Sequence, residues 1–276
     1  MVFTDALKAM AVKELSDKLK SKWVIVITLL FALFTLIIAY FGSVSSGVVS
    51  FMNMSATIAS LTSLAVYFIP ILSLTLGGGI IADERDRQTL DLYLASPISV
   101  FEFLAGKFLG LAVSLAIPIV VGFCLPGLML IFKAGSGALP GFLMFVLNSM
   151  FLGIMFLSIS FLVSVVIAER SKSIAFTVFL WLLFTILYDL ALVGVLIVTK
   201  GVLSPKIFSL LLVLNPVDVY RILNFLTIGQ YSIILGLASV DLPGFMNRYI
   251  LWVVNFLWII IPLWISYFVF KKKYLT

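Results

Sequence analysis

The chain has 276 residues, 63% of them hydrophobic and 11% charged, where a soluble domain runs at roughly 45–50% and about 25%; this excludes an ordinary water-soluble fold and reads as a membrane protein. Eighteen Lys and Arg against twelve acids leave a net charge of +6, but the cations sit between apolar runs, so they report topology rather than a nucleic-acid surface. With no histidine and one cysteine, Cys124, bis-histidine haem, three-histidine zinc, the usual general base of a hydrolase and an intrachain disulfide all drop out.

A helix crossing about 30 Å of hydrocarbon needs roughly 20 apolar residues. Ahead of the first such run, Phe3, Leu7, Met10, Ala11, Leu15 and Leu19 recur at helical spacing with lysines on the other faces. Residues 3–22 therefore read as an amphipathic helix along the inner leaflet, the alternative being a solubilising leader. Runs follow at 23–42, 57–82, 108–132, 141–168, 174–199 and 249–270. The first exceeds a signal-peptide core and no small-residue cleavage site follows, so it is expected to be a retained anchor. Just beyond it, Met52 and Met54 bracket Asn53; thioethers bind Cu(I), but two without a third soft ligand make a poor site, and methionine is also ordinary membrane packing.

Gly77-Gly78-Gly79 ends the second run and reads as a bend or a close helix contact, not a nucleotide loop. The densest charge comes next. Asp83, Glu84, Arg85, Asp86, Arg87 and Asp91 predict a short charged helix over 83–95, supported by Asp83 with Arg87 and Arg87 with Asp91 at four-residue spacing. Leu90, Tyr93 and Leu94 line its other side. It is either a solvated connector or a knob that docks into a partner. Pro97 stops it, and Ser99 with Glu102 forms a capping box that opens the helix of the third run. Gly106 and Gly110 form a small-residue pair, common in spans.

The fifth run carries an internal acid, Asp189, costly in lipid and expected to face a partner group or a wet cavity. Between the fifth and sixth runs, Ser204-Pro205 and Asn215-Pro216-Val217-Asp218 each place a capping residue before a first-turn proline. Two short helices are predicted over 205–227. The first is too short to cross and dips into the outer leaflet; the second sets Asp218 and Arg221 on one surface, capping the bundle from outside.

With the N-terminus inside, thirteen of the eighteen cations lie on cytoplasmic segments and five outside (Lys133, Lys200, Lys206, Arg221, Arg248), which orients an even number of spans with both termini cytoplasmic. No G-x-x-x-x-G-K-[ST] occurs, so any ATP dependence is expected from a partner. A secondary transporter is disfavoured: Asp189 is the lone intramembrane ionisable group, and neither an internal repeat nor a matched pair of broken helices is evident.

This pattern of interfacial helix, six spans, charged helix between spans two and three, and paired re-entrant helices between spans five and six resembles the permeases of ABC-2-type transporters. Asp83-Glu84, Thr89-Leu90 and Ser96-Pro97 fit their coupling segment, while Arg85 to Gln88 is more charged than that pattern. The resemblance narrows at Lys13 to Asp17 with Trp23, Ala56 to Leu61, Ser63 to Ala65, Pro70, Asp189-Leu190, Asp241-Leu-Pro243 and above all Leu214-Asn-Pro-Val-Asp-Val-Tyr-Arg221. These are similar to the permease subunits of transporters that mature nitrous oxide reductase. The resemblance implies an all-α, non-catalytic subunit of the inner membrane: a homodimer with two copies of a cytoplasmic ATPase, which uses ATP and Mg, and with a periplasmic β-helical copper-handling protein. Asn215, Asp218, Tyr220 and Arg221 would face that exterior partner, no cofactor would be bound by the chain, and the system would supply copper and sulfur for a copper-sulfide centre. An ABC-2 exporter of lipid, drug or peptide and a purely structural anchor are the other readings.

Asp189→Asn is expected to abolish activity while leaving assembly intact if the acid serves transport; normal activity of that variant assigns it a structural hydrogen bond instead.

Overall fold

In the computed structural model, residues 2–41, 54–135, 137, 139–200, 202–228 and 246–274 are described. Among them all regular structure is helical. The helices are α1 (Val2–Leu19), α2 (Lys22–Phe41), α3 (Met54–Gly77), α4 (Ile80–Asp86), α5 (Leu90–Leu94), α6 (Val100–Ala134), α7 (Leu139–Val166), α8 (Arg170–Leu182), α9 (Tyr188–Val198), α10 (Pro205–Val213), α11 (Pro216–Ile228) and α12 (Arg248–Tyr274), with a π-helical turn, Leu183–Leu187, joining α8 to α9. Five helical runs are long and apolar enough to cross a membrane: 57–86, 100–132, 139–166, 170–198 and 248–274. Two bent pairs, α1 with α2 and α10 with α11, meet that requirement only together, giving five to seven candidate spans; α10 and α11 turn through 112°. The expected all-α, multi-span chain is what the sequence folds into. Met52 and the side chain of Met54 lie outside the described residues.

α7 lies at the centre, against α3, α12, α11 and α6, while α6 also carries α1 and α2. Polar residues tie these apolar helices together: Thr35 of α2 donates to the Gly122 carbonyl of α6 at 2.5 Å, and Ser158 of α7 to the Trp258 carbonyl of α12 at 3.0 Å. In lipid such bonds and close small-residue contacts replace the hydrophobic drive that operates in water. The glycine run at the end of α3 supplies the close helix contact, one of the two readings of it. A Cβ on Gly77 would sit 2.1 Å from Ser160 Oγ, and one on Gly78 2.7 Å from the Thr177 side chain, so α3 ends in direct contact with α7 and α8. Regular α-helix is interrupted at Gly78 and Gly79, and α4 starts without a capping side chain of its own. Ser164 of α7 takes that role, accepting the N–H groups of Ile81 at 2.8 Å and Ala82 at 3.2 Å.

The segment 83–95 is not one helix. Gln88 adopts a positive φ of 58°, and the chain breaks into α4 and α5. The turn is held because Thr89 returns to Glu84, its N–H donating to the Glu84 carbonyl at 2.9 Å and its hydroxyl to the same carbonyl at 3.0 Å. Arg87 consequently pairs with Asp83 at 3.1 Å, while α5 carries Asp91 away from it.

α1 also differs from a simple apolar stripe on a membrane surface. Its seam of Leu7, Met10, Ala11 and Glu14 lies on α6, where Gly106 and Gly110 stand; Cβ atoms there would come within 2.6 Å of Met10 Cβ and of the Ala11 carbonyl oxygen respectively. The small-residue pair thus receives a helix of its own chain. Gly110→Ala is expected to push α1 off α6 at a cost of ~1–3 kcal/mol, because the obstructing atom belongs to rigid backbone; a lowered melting temperature of the solubilised chain checks this, and an unchanged one contradicts it.

Candidate functional site

At the end of the bundle holding α1, α4 and α5, the charges form two layers. The inner layer is centred on Lys107, whose side chain is 2% exposed. Its Nζ donates to Glu84 Oε1 at 2.6 Å and to Glu14 Oε2 at 3.0 Å, joining α6 to α4 and to α1. Lys18 stands 3.7 Å from the other oxygen of Glu14. The Tyr93 and Phe103 rings lie 5.8 and 5.7 Å from the Lys107 ammonium, within the reach at which a ring face attracts a cation. Lys13 Nζ donates to the Tyr93 hydroxyl, a bond that raises the ammonium pKa above its ordinary value. Buried charges persist only when paired and hydrogen-bonded, and here each carboxylate has a second partner: Glu84 accepts from the Thr89 hydroxyl, and Glu14 has the Lys18 ammonium as a second cation.

The outer layer ties the same segment to the remaining helix ends. Asp83 accepts from the Arg170 guanidinium at 2.8 Å, and Asp86 accepts the Arg170 backbone N–H at 3.2 Å, a carboxylate at the start of α8 where its dipole favours one. Arg85 donates to the Tyr274 hydroxyl at 2.5 Å and to the Ile167 carbonyl at 3.2 Å. Lys273 donates to the Val166 carbonyl at 2.8 Å, so cations close the free carbonyls that end α7. Of the six charged residues expected to dock a partner, Asp83, Glu84 and Arg85 are half-buried, with Glu84 alone turned to the inner layer; Asp86, Arg87 and Asp91 are exposed, beside Leu92 at 71% exposure.

Sequence reasoning missed Glu14, Lys107 and Arg170 as members of this arrangement. Glu14 follows Leu7 by seven residues and Met10 by four, placing an acid on the packing seam; Lys107 sits between Gly106 and Gly110. An acid on one seam and a base between small residues on another is the signal that pairs them.

At the opposite end, Arg221 of α11 lies between two acids. Its Nη1 donates to Asp189 Oδ2 at 2.7 Å and to Asp218 Oδ1 at 3.0 Å, so the acid of the fifth run is answered by the short helix after it. Asn215 caps α11 by accepting the Val217 N–H at 3.0 Å, and its amide donates to Asp218 at 2.9 Å and to the Phe184 carbonyl at 3.0 Å. Phe184 belongs to the π-helical turn, whose extra residue leaves a carbonyl without its normal intrahelical donor. Tyr188 and Trp258 donate to the Leu211 and Val213 carbonyls at the end of α10.

The expectation that Asn215, Asp218, Tyr220 and Arg221 present a surface to a partner does not match their placement. Asn215, Asp218 and Tyr220 are buried, and Arg221 has 20% of its side chain exposed. Tyr220 lies 2.9 Å from the Ser149 hydroxyl of α7, and one turn on, Asn148 donates to Asn224 at 2.8 Å. Their polar groups are spent on anchoring α11 to α7 and α9, the use to which a bilayer drives polar atoms. Among the described residues no group of three or more His, Cys, Asp or Glu is placed to hold a metal ion.

The chain is thus a multi-span helical membrane protein with a charged segment clasped at one end and a bent helix pair at the other. Residues 8–275 match the family model described as ABC-2 family transporter protein, and the chain belongs to that family of membrane permeases. It is homologous to NosY: it is 36% identical over 267 residues to the probable ABC transporter permease protein NosY of Pseudomonas aeruginosa, covering 95% of this chain and 96% of that one. To the probable ABC transporter permease protein NosY of Stutzerimonas stutzeri it is 33% identical over 268 residues, with the same two shares.

Arg221→Met leaves Asp189 and Asp218 facing each other without a cation and is expected to destabilise the chain by about 3 kcal/mol. Thermal unfolding in detergent reads it; a melting temperature equal to that of the unaltered chain would show that the triad does not hold α11.

Proposed function

We propose that this chain is the permease of an ABC transporter that supports maturation of nitrous oxide reductase, working in the inner membrane as a homodimer with two copies of a cytoplasmic ATPase and a periplasmic β-helical copper-handling protein. The observation that carries the reading is the similarity to NosY over 95% of the chain. α2 counts as the first of six spans, both termini are cytoplasmic, and α1, α4 and α5 lie on the ATPase side, in keeping with the distribution of lysine and arginine.

The ATPase, using ATP and Mg, closes against the exposed side of 83–95, where Asp86, Arg87, Asp91 and Leu92 stand. Spans α3 and α6, which flank that segment, turn as levers, and the α10–α11 pair alters its aspect toward the periplasm. Coupling of this kind requires that each nucleotide state favour a different arrangement of the segment. The chain itself catalyses nothing: it either exports a sulfur species or passes the motion to the copper-handling partner for assembly of the copper-sulfide centre. A permease for another cargo, such as lipid, drug or peptide, keeps the same architecture.

A strain in which the gene for this chain alone is deleted, the enzyme and the partner proteins being left intact, tests this. Nitrous oxide reductase purified from it is expected to lack the copper-sulfide chromophore and to regain it when the chain is restored; a fully assembled centre without the chain would sink the maturation role while leaving the family intact.

A further inference from the structure

We propose that Lys107 is a positioning residue for the coupling step, the joint through which α1 and α6 are carried as one body with the segment 83–95. This rests on the docking reading above and adds the route by which a push on that segment reaches the membrane.

The covalent links from the segment are unequal transmitters. On one side α4 continues the helical run of α3, 57–86, across Gly78 and Gly79; on the other the segment joins α6 through Ser96 to Ser99, with Pro97 between. A force on α4 and α5 would reach α3 directly but be absorbed at the second link before reaching α6 or α1, unless a non-covalent contact bridges it. Lys107 does so from two turns inside α6, with Glu84 at 2.6 Å and Glu14 at 3.0 Å on a single nitrogen, and it is shared by three elements. α1 then holds the segment at a second point, Lys13 on Tyr93, and Gly106 and Gly110 bring α1 so close to α6 that there is no slack between them.

The two charge layers differ in the way a joint requires. The outer ion pairs of the segment, Arg87 with Asp83 and Arg170 with Asp83, have side chains 66% and 50% exposed on the basic partner; pairs of that kind contribute little. Lys107 is shielded from water, where an ionic hydrogen bond is stronger and breaking it strands a buried charge. The inner layer therefore stays closed while the outer one rearranges.

Hydrogen exchange read by mass spectrometry tests the joint at two levels. In the full-length permease alone, Glu14→Gln is expected to speed amide exchange in 83–95 by about tenfold, although Glu14 reaches that segment through Lys107; a change confined to α1 would overturn the joint. In the complex with its ATPase, the triple variant E14Q/E84Q/K107M removes the three charges of the joint together, the replacement that buried ion pairs tolerate best, and leaves Lys18, whose side chain is 24% exposed, to water. Trapping with a non-hydrolysable ATP analogue is expected to alter exchange in 83–95 of both proteins but in α1 only of the unaltered one; an unchanged α1 response in the triple variant would refute the proposal. A native complex in which 83–95 gives no nucleotide response would overturn the docking reading and this joint's part in coupling, a result distinguishable because the Glu14→Gln experiment needs no ATPase.

Discussion

A single buried ammonium organises one end of this molecule. Lys107 emerges from a helix that is otherwise apolar from Phe103 to Val113, and an unpaired charge there would cost several kcal/mol. The chain meets it with carboxylates from two separate elements, Glu84 and Glu14, and that demand fixes much else. Glu14 reaches Lys107 only if α1 lies directly on α6, which requires glycine at positions 106 and 110. Glu84 reaches it from α4, which carries the helical run of α3 on past Gly78 and Gly79 and borrows its cap from Ser164. The break at Gln88 follows, because Thr89 is recruited as the second donor to Glu84.

The opposite end repeats the chemistry in another form: one cation, Arg221, between the two acids Asp189 and Asp218. Here the constraint is backbone satisfaction. A bent pair of short helices exposes carbonyls at its corner, and a bilayer offers them no water. Tyr188, Trp258 and Asn215 answer them from three different elements. The π-helical turn at Leu183–Leu187 shifts the register of the fifth span in the stretch that ends beside Tyr188 and Asp189. The corner motif is thus an internal fastening, which explains why its residues are buried.

The apolar runs, the caps at Ser99 and Asn215 and the prolines opening α10 and α11 were all legible in the sequence, because each depends on residues within four positions of one another. Asp189 was legible as a cost to be compensated. Its compensator was not identified as such, since Arg221 lies 32 residues further on and pairing across that distance depends on the fold. The charged segment 83–95 shows the same boundary: local spacing favoured Arg87 with Asp91, but a long-range demand, Lys107 on Glu84, broke the helix before that pair could form. Glu14 was hidden for the converse reason, as an acid on a face that local periodicity assigns to apolar packing.

The central claim is that the exposed side of 83–95 is where an ATPase bears on this chain. A photoactivatable residue in place of Leu92, which is 71% exposed, tests it in the native membrane. Irradiation is predicted to yield an adduct with a P-loop ATPase, lost when the probe is moved to Val198, exposed near the opposite end of the bundle. Adducts with lipid alone at position 92, or an ATPase adduct from both positions, would contradict the account.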